Sequence, residues 1–164
     1  MTSIKKAVLP LILALAGVTQ VQASEFAGAF VGAKAGLNWS DATGHTYEST
    51  HTTGFPGLTI GYNYDLAPVL VGIEGFADFH GGSTTKKDAG IDAKLGLPLN
   101  HVMPYARIGF MGTWPDTCLH YGVGAEYKFA KQWSVAGEWT VDRAHYDGGH
   151  RQNNSLTVGM HYFF

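Results

Sequence analysis

Ser155-Leu156-Thr157-Val158-Gly159-Met160-His161-Tyr162-Phe163-Phe164 closes the chain with a strict alternation. Leu156, Val158, Met160, Tyr162 and Phe164 share one apolar face, and Thr157, Gly159 and His161 fall between them. Successive side chains of an extended strand point to opposite sides, so this period of two describes a strand with one greasy face. A sheet in lipid cannot leave an edge open, because hydrocarbon offers its backbone groups no hydrogen-bond partner. A terminal strand of this kind therefore implies pairing with the first strand and closure of a barrel in a bilayer.

The same alternation recurs upstream. Within 30–39, Val31, Ala33, Ala35, Leu37 and Trp39 oppose Gly32, Lys34, Gly36 and Asn38, and glycine at that spacing argues against a helix. Leu58, Ile60, Tyr62 and Tyr64 oppose Gly57, Thr59, Gly61 and Asn63. A third run sets Val69, Val71, Ile73, Gly75, Ala77 and Phe79 against Gly72, Glu74, Phe76, Asp78 and His80. Ala89, Ile91, Ala93, Leu95 and Leu97 alternate with Gly90, Asp92, Lys94 and Gly96. Ala106, Ile108, Phe110 and Trp114 oppose Tyr105, Arg107, Gly109 and Met111. Two further runs set Tyr121, Val123, Ala125, Tyr127 and Phe129 against Gly122, Gly124, Glu126 and Lys128, then Trp133, Val135, Gly137, Trp139 and Val141 against Ser134, Ala136, Glu138 and Thr140. With the tail this predicts an all-β, eight-stranded antiparallel up-and-down transmembrane barrel spanning 24–164.

The amino terminus supplies a route to the membrane. Lys5 and Lys6 precede the apolar run 7–18, and Val21-Gln22-Ala23 offers a cleavage site after Ala23, so residues 1–23 read as a cleaved secretory signal peptide. Pro10 interrupts the run, which is also shorter than the ~20 apolar residues of a spanning helix. No cysteine follows the cut at once, which argues against a lipid anchor. Loss of the two leader lysines from 11 basic residues against 13 acidic ones leaves a mildly acidic single domain with no nucleic-acid footprint. A 15% share of charged residues is low for a water-facing surface, and the lone Cys118 excludes an internal disulfide framework.

Connections fall into two kinds. The stretches 65–68, 98–101 and 130–132 are short, whereas 40–54, 81–88 and 143–154 are longer and polar, with 115–117 the exception. Short turns on one side and longer loops on the other match a membrane barrel, whose short turns are periplasmic. Alternation alone also permits a soluble cup with its apolar face inside. The aromatics separate the two. Trp39, Trp114, Trp133 and Trp139 all lie on the apolar face, and Tyr62, Tyr64, Tyr127, Phe129, Tyr162 and Phe164 gather on it toward the short turns, as an interfacial girdle would. The opposite face is rich in glycine, which suits a cramped interior.

Val31-Gly32-Ala33-Lys34-Ala35-Gly36, Pro104-Tyr105-Ala106-Arg107-Ile108-Gly109, Tyr121-Gly122-Val123-Gly124-Ala125-Glu126-Tyr127 and Tyr162-Phe163-Phe164 give the chain its resemblance to the small eight-stranded outer-membrane barrels, those similar to the transmembrane domain of outer membrane protein A and the opacity-type surface proteins. The resemblance implies the bacterial outer membrane, with its lipid and lipopolysaccharide as surroundings. It also implies periplasmic chaperones and insertion by the barrel-assembly machinery, with Tyr162 and Phe164 as the assembly signal. With the chain ending at Phe164, no peptidoglycan-binding domain is expected.

The inward charges form the candidate site. Lys34, Lys94, Arg107 and Lys128 face Glu74, Asp78, Asp92, Glu126 and Glu138 across a lumen too narrow for bulk water, where an unpaired charge is costly. Pairing is expected, with Glu74, Lys94, Arg107, Glu126 and Glu138 in one layer. Such a layer either plugs the lumen or gates a narrow pore, and the plug is the simpler reading. Of the eight histidines, His45 and His51 share one loop and His145 and His150 another, while His80 stands at a loop base. No pair has the spacing of a preformed metal site, so scattered surface histidines, and no metal or other cofactor, are expected. A lipid-modifying enzyme would need a supported nucleophile. His120 near the outer rim, with Ser83 and Asp116 in adjoining loops, makes no convincing constellation, so no enzyme is expected. Gly28, Gly32 and Gly36 recur at strand phase without a following helix and imply no phosphate loop. The expected function is that of a monomeric structural or surface protein, serving envelope integrity or adhesion through 40–54 and 143–154.

Overall fold

The computed structural model describes residues 24–43, 49–81, 88–113, 116–146 and 149–164. Eight strands follow one another: β1 (Gly28–Thr43), β2 (Ser49–Leu66), β3 (Val69–Asp78), β4 (Asp88–Gly96), β5 (Val102–Thr113), β6 (Asp116–Ala130), β7 (Trp133–Tyr146) and β8 (Gly149–Phe163). Each pairs antiparallel with its sequence neighbour, and β1 pairs with β8, so the sheet is a closed barrel with no free edge. The seam runs from Phe30 opposite Phe163 to Thr43 opposite His150, and the Phe164 amide extends it by donating to the Ala29 carbonyl at 3.1 Å.

The two faces sort as the period of two requires. Ile60, Ile73, Ile91, Ile108, Phe110 and Val158 are among the large apolar side chains most exposed on the outside, as lipid contact demands. Val141 departs from the pattern: its outward position is buried. At the short-turn end Trp133 meets the Tyr162 ring edge-on at 5.0 Å between centroids, and Tyr162 meets Phe164 likewise at 5.3 Å. Tyr62, Tyr64, Tyr127 and Phe129 stand exposed at the same level. Trp114 lies outside the described residues.

The expected long loops are a correction. Most of 40–54 and 143–154 is strand, with Ala42 paired to Ser49 and Tyr146 to Gly149. Likewise β6 begins at Asp116, opposite Thr113. Beyond the lipid the outward face meets water and the inward face is itself polar, as the buried Ser40 and Asn153 show, so the contrast that reveals alternation fades while the backbone ladder continues. The β-branched Thr50, Thr52 and Thr53 suit that ladder without announcing a face.

The interior is layered. Phe26, Phe30, Leu70, Met103, Tyr105 and Phe163 form an apolar cluster at the short-turn end, and Phe76, Met111 and Cys118 a smaller one further along the lumen. Glycines make room for the inward rings: a Cβ on Gly61 would lie 2.6 Å from Phe30 Cε1, and one on Gly90 at 2.6 Å from the Phe76 ring. The segment before β1 seals the short-turn mouth. Phe26 is wholly buried, its carbonyl accepts from Asn63 Nδ2 at 2.9 Å, and the Ser24 amide donates to Asp65 Oδ2. Between the two apolar clusters lie the charges.

Candidate functional site in the lumen

The register explains why the charges must interlock. On neighbouring strands Glu74 lies opposite Asp92, and Lys94 lies opposite Arg107. Like charges placed side by side repel. The relief comes diagonally and across the lumen. Arg107 on β5 reaches three strands at once: Nη1 lies 3.1 Å from Glu74 Oε1 on β3 and 2.7 Å from Glu138 Oε2 on β7, while Nε donates to Asp92 Oδ2 on β4 at 2.7 Å. Only a planar guanidinium fork offers that many donors in fixed directions. Lys94 Nζ sits 3.2 Å from Glu74 Oε2 and 3.7 Å from Glu126 Oε2. Glu74, Lys94, Arg107, Glu126 and Glu138, expected in one layer, are thus brought together with Asp92, and none is more than 6% exposed.

Aromatic rings pack on both sides of this layer. Lys94 Nζ lies 5.1 Å from the Phe30 centroid and 4.4 Å from that of Tyr105, and the Arg107 guanidinium carbon lies 5.4 Å from that of Phe76. Ring faces attract cations while excluding water, which makes each remaining ion pair matter more.

Three of the nine charged residues stand apart from the layer. Lys34 pairs with Asp78 at 3.0 Å beyond Phe76, toward the long hairpins. Lys128, expected to pair across the lumen, instead donates to the Glu25 carbonyl and lies 3.9 Å from the Phe163 centroid. Its position near the short-turn mouth puts the peptide oxygen of the entering chain within reach. Among the described residues it makes no ion pair with a carboxylate.

Sequence reasoning missed the supporting polar groups. Tyr105 donates from its hydroxyl to Glu138 Oε1 at 2.6 Å. Glu126 Oε1 accepts from Ser134 Oγ and lies 2.8 Å from His161 Nδ1. His120 lies against Asp142 Oδ1 through Nδ1, and its Nε2 is 3.4 Å from Asp92 Oδ2. The expectation of scattered surface histidines is therefore overturned for His80, His120 and His161, all of them buried. Their phase on the inward face was the available signal, since a polar side chain there has only other interior groups to meet. His101 is exposed beside Glu25 at the short-turn end. The side chains of His45, His51, His145 and His150 lie outside the described residues, as do those of Ser83 and Asp116. His120 lies beside two aspartates, Asp142 and Asp92.

A layer of this kind can hold a lumen shut: two basic side chains, Lys94 and Arg107, tie together carboxylates from β3, β4, β6 and β7, so the barrel is cross-braced through its middle.

Comparison with known proteins places this architecture. A family model described as outer membrane protein beta-barrel domain matches residues 9–164. Over 119 residues the chain is 27% identical to the 25 kDa outer-membrane immunogenic protein of Brucella canis, which covers 67% of this chain and 55% of that protein. The chain thus spans about half the length of the curated relatives it matches. Neisserial surface protein A superposes with a TM-score of 0.59 at 16% identity, covering 84% of this chain and 98% of that one. A de novo designed transmembrane β-barrel superposes with a TM-score of 0.52 at 12% identity, covering 86% and 99%. At such identities the likeness is one of fold. The chain belongs to the outer membrane protein beta-barrel domain family, as an eight-stranded barrel of the bacterial outer membrane.

Proposed function

We propose that the protein is a plugged structural and surface barrel, whose lumen carries no ion flow and whose outward hairpins, 40–54 and 143–154, are its means of contact with the surroundings of the cell. The observation that carries this reading is Arg107 shared among Glu74, Asp92 and Glu138 between aromatic pads, because opening a path would require several buried ion pairs to separate together. The named relatives support a place at the surface: one is called an immunogenic outer-membrane protein, and the solved neighbour a surface protein. Envelope bracing and adhesion both fit such a barrel, with outer-membrane lipid and lipopolysaccharide around it. Nucleic acid and catalysis are not part of the proposal. Export through residues 1–23 and insertion by the barrel-assembly machinery through Tyr162 and Phe164 belong to the same reading, since Phe164 is exposed just past the last strand and its ring packs edge-on with Tyr162.

The test is single-channel recording across a planar bilayer holding the refolded chain, with insertion verified by protease protection. A silent bilayer is expected. Discrete conductance steps would replace the plug by a narrow gated pore.

A further inference from the structure

Nearer the long hairpins, a second set of side chains is left with ligating atoms free. Asp78 ends β3, His80 follows two residues later, and Asp88 opens β4 directly opposite Asp78. One ligand atom from each lies within 4.8 Å of the other two, and all three residues are buried. Asp78 Oδ1, His80 Nδ1 and Asp88 Oδ1 have no hydrogen-bond partner, although the three side chains expose only 8%, 3% and 2% of their surface. Two carboxylates facing each other across a strand pair repel, and burial takes away the water that would screen them. Lys34 Nζ lies 3.0 Å from Asp78 Oδ2, and His80 Nε2 is 3.4 Å from Asp88 Oδ2. Lys34 occupies one oxygen of Asp78 and leaves the other unpartnered. Phe55 packs on the imidazole at 4.1 Å between centroids and so restrains its orientation.

We propose that Asp78, His80 and Asp88 bind a first-row divalent transition-metal ion of the zinc type inside the lumen, between the Arg107 layer and the long hairpins. One imidazole and two carboxylates are a borderline donor set: nitrogen ligation disfavours calcium and magnesium, which take oxygen alone, and the lack of thiolate fits a site that need not be closed. Three protein donors leave a further position for water. The ion offsets the repulsion between the facing aspartates and ties the end of β3 to the start of β4. Lys34 acts from outside the donor set by orienting Asp78, as partners of metal-bound carboxylates do. The chain hides this group because its spacing is unremarkable; it is the pairing of β3 with β4 that brings Asp88 to Asp78 and His80.

Zinc chloride is titrated by calorimetry into the refolded barrel in detergent micelles, and into a variant in which His45, His51, His145 and His150 are all replaced by alanine. One ion per barrel is expected in both. In that variant His80→Ala and Asp88→Asn each weaken binding at least ~100-fold, while circular dichroism verifies the folded barrel. A tenfold excess of calcium leaves the zinc in place. In the protein with all three ligands intact, zinc shifts the His80 ring resonances and leaves those of His101 unmoved. No binding, binding lost with the four hairpin histidines, equal affinity in a folded His80→Ala barrel, or an unmoved His80 ring would each overturn the assignment.

Discussion

The two ends of this barrel are closed by different chemistry. At the short-turn end the stopper is apolar: Phe26, Phe30, Leu70, Met103 and Phe163 fill the lumen, and an outer ring of tyrosine, tryptophan and phenylalanine marks the same level. Toward the long hairpins the interior is largely polar, with Asn38, Ser40, Asp78, His80, Asp88, Asp142 and Asn153 buried beside the smaller apolar layer of Phe76, Met111 and Cys118 and the Phe55 ring against His80. The contrast teaches that an eight-stranded barrel has no single core. It stacks a hydrophobic seal, an ion layer and a polar chamber along one axis, and each obeys its own energetics.

The sharpest way to break the comparison is at the ion layer. Arg107→Ala removes the cation shared by Glu74, Asp92 and Glu138 and leaves their charges buried, so a loss of about 3–5 kcal/mol is expected in urea unfolding of the refolded barrel. A loss below about 1 kcal/mol would mean that water already reaches the layer. Phe26→Ala tests the apolar seal. The ring is wholly buried but comes from a segment that precedes the first strand, so about 2–4 kcal/mol is expected, together with faster proteolysis at residues 24–27 in limited digestion. Unchanged digestion would show that the segment seals nothing. The smallest effect on stability is expected at Phe164→Ala, where the side chain is 76% exposed at the end of the seam. Under about 1 kcal/mol should be lost in vitro. The fraction of chain reaching the outer membrane, measured by cell fractionation, should nevertheless fall if this residue is read during assembly; equal delivery would remove it from the signal.

Much of the architecture was legible because alternation in a strand is a covalent consequence: Leu58 and Ile60 must share a face, and Thr59 must take the other. Which face meets lipid was legible from the aromatics, since Tyr62, Tyr64 and Trp133 gather at one level only if that level is an interface. The reading failed where physical contrast fades. Thr50, Thr52 and Thr53 lie in a strand that the pattern assigned to a loop, because polar surroundings on both sides impose no apolar–polar alternation. Residues of the charge layer were nameable in advance from their inward phase, but their partners were not. Lys128 shares the inward face with Glu126, yet its nearest acceptor is the carbonyl of Glu25, a segment with no periodicity to place it.

From composition and periodicity alone came the strand number, the lipid-facing side, the short-turn end and the set of charges turned inward, all of them consequences of local backbone geometry and of what lipid excludes. Register and closure supplied the rest. They set Glu74 beside Asp92, brought Arg107 within reach of three carboxylates, and assembled Asp78, His80 and Asp88 from two strands, because distances between chain segments depend on how the strands pair and not on the order in which residues are joined.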